Sequence, residues 1–518
     1  MKHYKITTAV ALLLLLSGCQ SAPSSDEPEE PITENSTVVP AVPVAVEQHP
    51  KVQQPVPITD VWQRLREQLN MPIPDQKLVK RYREWYIANP KHLQQISERA
   101  TPFLYLIVND IEQRGLPMEL ALLPIVESAF DPFAYSPGAA SGLWQFTSPM
   151  ARHFGLKINW WYDGRRDVPA ATDAALDMME YLYDKTGKNW LYAIAAYNTG
   201  EGRVINAVKK NAAAGKATDF WSLSLPRETE RYVPQLLALA DVIKHASQYG
   251  IELTPIDNSP AVAVVDIGSQ LDLAKAAELA DIDIVELQRL NPGYNHWATA
   301  PKGPHQLVVP IDKAQQFTTA LAALDPTERL NWQRYQIKSG DSLLTIAKKY
   351  QTTVDIIRSV NAIKGNRIVA GKYLLIPVSL QEAGDYPLSS EQRVLARQNN
   401  NNKRYSSKYE VQSGDSLWKI ARKFNVSSQQ LAGWNGMATK DTLKPGKVLV
   451  VWHEAEKGKG VVRTVKYKVR NGDSLARIAG RFKVTVGQLV KWNRLNEHNY
   501  LQPGQTLTLF VDVTRSDS

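Results

Sequence analysis

A chain of 518 residues is too long for one compact core, so several domains are expected. Its 43% hydrophobic and 22% charged residues exclude both a membrane channel and a disordered chain. The net charge of +9 is unevenly spread. Residues 331–518 hold 31 Lys and Arg against 14 Asp and Glu, a net of +17, while the preceding part carries −8. A basic C-terminal part attracts anionic polymers such as nucleic acid, anionic lipid or carboxylate-bearing cell wall, and it equally makes a well-solvated surface.

At the N-terminus, Lys2 and Lys5 precede an apolar run from Ala9 to Leu16, followed by Ser17, Gly18 and Cys19. The run is too short to span a bilayer and has the form of a signal peptide over residues 1–18. Leu16-Ser17-Gly18-Cys19 resembles a bacterial lipobox, which implies cleavage before Cys19 and lipidation of that residue. An ordinary signal peptide with an incidental cysteine is the plainer alternative. Cys19 is the only cysteine, so core packing rather than a disulfide must hold the domains together. Gln20, rather than Asp, implies by the sorting rule of such lipoproteins the periplasmic face of the outer membrane, where several acyl chains anchor stably. Residues 19–57, rich in Pro, Ser, Glu and Val, read as a flexible tether.

Residues 58–250 have a helical pattern almost throughout. One helix is expected to open after Asn89-Pro90 and run toward Arg114, with Gly115 as its stop. Another begins at Leu116-Pro117. Leu116, Leu120, Leu123 and Glu127 fall at helical spacing, which puts Glu127 on or beside an apolar face. Pro124 predicts a kink in that helix. Ala170 to Tyr183, Trp190 to Ala196 and Leu236 to Ala246 are further helical stretches.

Beyond residue 259 short repeats take over. Tyr409, Val411, Gly414-Asp415-Ser416-Leu417, Ile420, Ala421 and Phe424 recur as Tyr335, Ile337, Gly340-Asp341-Ser342-Leu343, Ile346, Ala347 and Tyr350. They recur again as Tyr467, Val469, Gly472-Asp473-Ser474-Leu475, Ile478, Ala479 and Phe482. In each unit a strand meets a Gly turn, Asp or Ser caps a helix, a second helix ends at Asn361, Asn435 or Asn493, and a strand closes the unit. The units span 333–378, 408–452 and 466–512. A weaker copy at 259–312 keeps Leu273, Ala276, Ala277, Ala280, Leu290 and Asn291, with Gly268-Ser269-Gln270 in place of Gly-Asp-Ser. Residues 379–407 and 453–465 read as polar linkers.

The repeats resemble LysM domains, binders of polymers containing N-acetylglucosamine. The resemblance implies a sugar groove beside Gly340-Asp341-Ser342, Gly414-Asp415-Ser416 and Gly472-Asp473-Ser474, and several such modules give avidity. For Asp341, Asp415 and Asp473, helix capping is the favoured role of the side chain. Trp434 and Trp492 fit core packing better than a sugar platform.

Three phrases in the helical part belong together: Glu127-Ser128-Ala129-Phe130, Gly142-Leu143-Trp144-Gln145-Phe146 and Ala196-Tyr197-Asn198-Thr199-Gly200. In this order they resemble the lysozyme-like domain of family 1 lytic transglycosylases. Pro117-Met118-Glu119-Leu120, Trp160-Trp161-Tyr162-Asp163-Gly164-Arg165-Arg166 and Pro226-Arg227-Glu228-Thr229 extend the match. The implied architecture is multidomain, a mainly α lysozyme-like catalytic domain followed by small α+β (βααβ) repeats.

The resemblance implies cleavage of peptidoglycan between N-acetylmuramic acid and N-acetylglucosamine, with Glu127 as the one catalytic acid and base and a 1,6-anhydro sugar as product. Apolar neighbours and the helix C-terminus favour a protonated Glu127. By the same resemblance, Ser136, Gln145, Tyr197 and Asn198 line the cleft, binding the acetamido group or holding Glu127. Tyr232 and Ser128 either join them or serve helix packing and capping. Trp144, Trp160, Trp161 and Tyr162 divide between sugar stacking and core, with core for at least half. No metal-ligand spacing and no phosphate loop is found, so no metal or cofactor is expected, and the partners expected are glycan strands and a membrane, not nucleic acid. Two other readings stand beside this one. The first is a goose-type-lysozyme-like hydrolase in which Asp131, Asp163 or Glu201 places a water. The second is a non-catalytic wall-binding lipoprotein.

Overall fold

The computed structural model describes residues 57–399, 404–454, 462–493, 495 and 501–512. The expected signal peptide, Cys19 and nearly all of the tether lie outside the described residues, as does most of the linker expected at 453–465.

Residues 57–250 pack as helices around one core that includes Trp62, Tyr86, Phe130, Trp144 and Leu236. The first helix, Val61–Gln68, starts because the Asp60 carboxylate accepts from the Trp62 and Gln63 N–H groups. The helix expected from Pro90 to Arg114 is two helices, Pro90–Ala100 and Leu104–Gln113. Pro102 lies in the break, where it has no N–H to donate, and the backbone departs from helix at Phe103, φ −126°. The expected kinked helix from Leu116 is also two pieces, a 3-10 turn Met118–Leu122 and a short α-helix Leu123–Ser128. Pro124 thereby falls in a first turn, where its missing N–H leaves nothing unsatisfied. Among the described residues the further α-helices of this part are Lys77–Ala88, Ser148–His153, Val168–Lys185, Trp190–Thr199, Glu201–Ala213 and Arg227–Lys244, the last opening well ahead of the expected Leu236.

Four antiparallel two-stranded ribbons follow. Val262–Asp266 pairs with Gln306–Pro310, Asn331–Gln336 with Tyr373–Val378, Arg404–Glu410 with Val448–Glu454, and Val462–Lys468 with Thr506–Asp512. Each pair brackets two short helices. One asparagine closes every unit in the same way. The Asn435 Nδ2 donates to the Leu431 and Val450 carbonyls, each at 2.8 Å, while its Oδ1 accepts from the Val450 N–H at 2.7 Å. Asn361 holds Leu375 and Asn493 holds Thr508 by the same three bonds. In the divergent copy Asn291 holds Val308 likewise, so its closure survived the change in its turn.

That copy is larger than its expected end at residue 312. The helix Ala314–Ala323 adds Phe317 and Leu321 to its core. It is also fused to the helical domain. Trp161 and Tyr162 sit in the same cluster as Leu273, Tyr294 and Trp297, and the Asn295 N–H donates to the Trp161 carbonyl at 2.8 Å.

Residues 379–399, expected to be linker, form a docked strap. Tyr386 is 1% exposed, and its hydroxyl lies 2.9 and 3.1 Å from the Asp272 carboxylate oxygens. The Leu388 N–H donates to Gln288, and the helix Ser390–Asn399 follows. Two anchoring side chains in a polar segment leave no periodic signal to read.

Candidate active site

Glu127 lies in the last turn of Leu123–Ser128, and the backbone that leaves this helix is unusual. Ala129 and Phe130 both adopt left-handed conformations, φ +51° and +58°. The Ala129 N–H reaches the Ile125 carbonyl at 3.0 Å and the Phe130 N–H the Pro124 carbonyl at 3.1 Å, so the last carbonyls of the helix are satisfied by two left-handed residues without glycine. Each such residue costs about 1–2 kcal/mol, and the fully buried Phe130 ring fixes the turn against that cost. Gln145 is left-handed too, φ +49°. Strained backbone of this kind collects at functional sites.

The neighbouring segment Gly142–Phe146 depends on a real glycine. Gly142 has φ +83°, and a Cβ there would lie 1.8 Å from the Arg165 carbonyl oxygen. Ser128 ties the helix to this segment, its Oγ lying 2.9 Å from the Pro124 carbonyl and 3.0 Å from that of Leu143. Its hydroxyl is thus engaged with backbone.

The Tyr232 hydroxyl donates to Oε1 of Glu127 at 2.6 Å. Glu127 keeps some contact with solvent, yet the protein around it desolvates its carboxyl. Burial raises its pKa from 4.5 to about 7, the Tyr232 bond pulls the other way, and the charge of Glu228 adds to the rise. Burial outweighs the hydrogen bond, so near neutral pH the group exists as acid and as base in comparable amounts. Tyr232 and Tyr197 are both pushed well above the usual phenol range, by burial first and by Glu127 second.

Tyr197 donates to the Trp144 carbonyl at 2.7 Å. Gln145 Nε2 donates to the Gly142 carbonyl at 2.9 Å, and Asn198 Oδ1 accepts from Thr229 Oγ1 at 2.8 Å. These bonds orient the two amides and leave Gln145 Oε1 and Asn198 Nδ2 without a protein partner among the described residues. One acceptor and one donor therefore remain for a ligand such as an acetamido group. The Ser136 Oγ accepts from the Ala140 N–H at 3.0 Å and braces its own loop.

Of the aromatic candidates, Trp144 is fully buried, with its Nε1 donating to Thr172 Oγ1 at 3.0 Å. Trp161 and Tyr162 belong to the core shared with the first repeat, and Trp160 stacks on His296 at 3.4 Å. The acids considered for placing a water differ among themselves. Asp131 accepts from the Phe133 N–H at 2.9 Å, and Asp163 receives both Nε and Nη2 of Arg165 at 2.8 Å. Burial alone would raise Asp163, but the Arg165 bonds and the charge of Arg166 hold it below the usual carboxylate range. Glu201 opens the helix Glu201–Ala213.

In the three later repeats Gly340, Gly414 and Gly472 all have φ above +80°. The expected cap is the serine, not the aspartate: Ser342, Ser416 and Ser474 accept from the N–H three residues on. The aspartates lock the turn instead. Asp415 accepts from the Tyr409 hydroxyl and the Gln412 N–H, each at 2.8 Å, and Asp341 and Asp473 do the same with Tyr335 and Lys338 and with Tyr467 and Arg470. Trp434 and Trp492 pack against their cores. Trp418 is the most exposed ring of the described repeats, 60% exposed, directly after the Gly414–Leu417 turn. The sequence reading passed over it because it carries no repeat consensus. Glu228 and Thr229 stand in a phrase that extends the match, but their partners are not legible there, since only the fold brings them to Glu127 and Asn198.

A separate depression of about 810 Å³, lined by Glu119, Trp190 and Trp221, contains none of these residues. Its Glu119 is spent on the Asn70 and Met71 N–H groups at 2.7 Å.

A desolvated glutamate in a lysozyme-like helical domain, followed by LysM units, defines a class, and the comparisons bear on it directly. The Transglycosylase SLT domain matches residues 106–220. A domain described as "Lytic transglycosylase MltD, LysM-like domain" matches 261–326, and the LysM domain matches 335–377, 409–452 and 467–510. The chain is 37% identical over 457 residues to the membrane-bound lytic murein transglycosylase D of Escherichia coli (strain K12), covering 88% of this chain and 86% of the relative, and it belongs to that family. The autolysin of Enterococcus faecalis is 32% identical over 182 residues, covering 33% of this chain and 24% of its own. The 70 kDa soluble lytic transglycosylase of Escherichia coli is 20% identical, covering 34% of this chain and 32% of that one, with a TM-score of 0.25, too low to carry an argument.

Proposed function

We propose that this chain cleaves the glycosidic bond between N-acetylmuramic acid and N-acetylglucosamine in peptidoglycan without consuming water. The observation that carries the reading is the Glu127 carboxyl, held near neutrality by burial and oriented by Tyr232. Glu127 gives its proton to the bridging oxygen as the bond to the muramyl C1 breaks. The acetamido oxygen closes on C1 and holds the developing positive charge. Glu127, now a carboxylate, takes the proton of the muramyl C6 hydroxyl, whose oxygen bonds to C1 as the acetamido group is released. The product is a 1,6-anhydro ring and Glu127 ends protonated, as it began. A group with pKa near the working pH suits both halves of this cycle.

A single carboxylate with substrate assistance is a recognised departure from the two-carboxylate pattern. The engagement of Asp131 and Asp163 in turn and ion-pair bonds supports that reading over a water-placing hydrolase. Gln145 Oε1 and Asn198 Nδ2 are the groups we assign to the acetamido function. In the LysM units the turns at Gly340, Gly414 and Gly472 and the Trp418 ring are assigned to glycan. In the divergent unit Asp272 caps the helix Leu273–Ala280, and Tyr386 and the Leu380 N–H both bond to its carboxylate, which favours a docking role there. Anchorage through lipid at Cys19, facing the periplasm from the outer membrane, completes the reading and fits the membrane-bound relative.

Mass spectrometry of digested peptidoglycan is the test. Anhydromuramyl ends are expected, and reducing muramic acid in their place would sink the transglycosylase reading. Glu127→Gln is expected to lower cleavage by about 10²–10⁴-fold, the usual worth of a general acid and base.

A further inference from the structure

Away from Glu127, four arginines gather around one cavity of about 230 Å³. Arg165 and Arg166 come from the helical domain, and Arg393 and Arg397 from the strap helix Ser390–Asn399. Phe133, from the loop that follows Glu127, and Gly436 of the second LysM unit complete the wall. Among the described residues the one carboxylate lining it is Asp163, and Arg165 already occupies both of its oxygens.

The other three cations are under-compensated. Arg166 donates to Ser141 Oγ and Asn295 Oδ1, both neutral, and stays 3.8 Å from Asp163. Arg393 gives Nη1 to the Leu388 carbonyl and lies over the Phe133 ring at 4.7 Å. Arg397 has no hydrogen bond or ion pair among the described residues. The nearby Glu391 faces His296 at 3.2 Å. Burial and mutual repulsion hold Arg166 and Arg393 below the usual arginine range. Guanidinium keeps its proton in proteins, so the repulsion persists until an anion enters.

The geometry points to an oxyanion site: we propose that this pocket takes the carboxylates of the peptide stem carried by muramic acid. Guanidinium forks match carboxylates bidentately. Phe133 and Tyr135 on the pocket wall belong to the segment between the Glu127 helix and Ser136, which ties the pocket to the chain that leaves the catalytic carboxylate. The proposal rests on the reading of this chain as a peptidoglycan-cleaving enzyme, and it makes the strap and the second LysM unit parts of a substrate-selecting wall.

The test uses the full chain carrying Glu127→Gln, titrated calorimetrically with the tripeptide L-Ala-γ-D-Glu-meso-diaminopimelate and, separately, with inorganic phosphate. The tripeptide is expected to bind saturably, and Arg393→Gln with Arg397→Gln to weaken it at least about tenfold, as loss of charged hydrogen bonds does. Absent binding, or equal affinity in the substituted chain, overturns the site. Phosphate binding as tightly as the tripeptide overturns the assignment to the stem. Should the double substitution disturb folding, Arg397→Gln alone, at an exposed residue, serves the same comparison. With Glu127 intact, the substitutions are expected to raise KM for peptide-bearing glycan and leave kcat. Failure of the glycan-cleavage reading shows separately, as chains with Glu127 intact that release no anhydromuropeptides.

Discussion

The hydroxyl of Tyr232 reaches Oε1 of Glu127 at 2.6 Å across 105 positions of sequence. The bond favours the carboxylate, while burial favours the acid, and burial prevails. Tyr232→Phe removes the opposing influence, so the pKa of Glu127 is expected to rise further above about 7. The limb of the kcat/KM–pH profile that reports this group then moves to higher pH. An unmoved limb would show that the bond is not made in the working enzyme.

The same shift has a consequence for folding. A carboxyl at 4.5 when unfolded and about 7 when folded binds more protons in the native state between those values, so its contribution to stability falls as pH rises through that window. Glu127→Gln cannot ionise and escapes the loss. At pH 8 it is expected to be more stable than the parent by on the order of 1–3 kcal/mol, with no such gain at pH 4. Urea titrations at the two pH values measure the difference, and an equal gain at both would refute the burial account.

How much of this was legible in advance follows from the range of the interactions. Glu127, Gln145 and Asn198 stood in short motifs, and the repeats announced themselves by Gly-Asp-Ser turns. Helix ends are hardest to read at Pro102, where a smooth apolar period runs on, and at Pro124, because a proline fits a kink within a helix as well as the first turn of a new one. The strap reads as linker because its anchoring rests on Tyr386 meeting Asp272, a contact between distant segments that no local pattern encodes. The role of Asp415 was misassigned for the opposite reason: Asp and Ser are both good caps, and only geometry shows that Ser416 does the capping.

Gly142 is the position where the site tolerates least. Gly142→Ala adds a Cβ 1.8 Å from a backbone carbonyl at φ +83°, which no rotamer relieves. The expected loss is at least about 3 kcal/mol of stability together with most activity, because Gln145 and the partner of Ser128 move with this segment. Thermal unfolding and muropeptide release measure both. Near-native values of either would mean that the loop relaxes more freely than its contacts allow.

Asn435 offers a cleaner test of the repeat architecture. It is 1% exposed and satisfies both backbone groups of Val450 as well as the Leu431 carbonyl. Asn435→Ala leaves a buried N–H and two carbonyls without that partner, for an expected loss of about 2–4 kcal/mol. Asn493→Ala, at a half-buried position where water can replace the side chain, should lose less. Equal losses would argue that burial does not set the strength of this clamp.

Trp418 separates folding from wall binding. At 60% exposure its ring supports no core, so Trp418→Ala should change stability by less than about 0.5 kcal/mol. If the ring stacks on glycan, the substitution lowers co-sedimentation with insoluble peptidoglycan, by an amount the other two LysM units partly mask through avidity. The comparison is therefore best made with Gly340 and Gly472 also replaced by bulkier residues, which strains turns at φ +86° and +82° and disables those units. In that background the Trp418 substitution should remove most of the remaining sedimentation. Retention of binding there would move the glycan contact off this ring and onto the turn backbone alone.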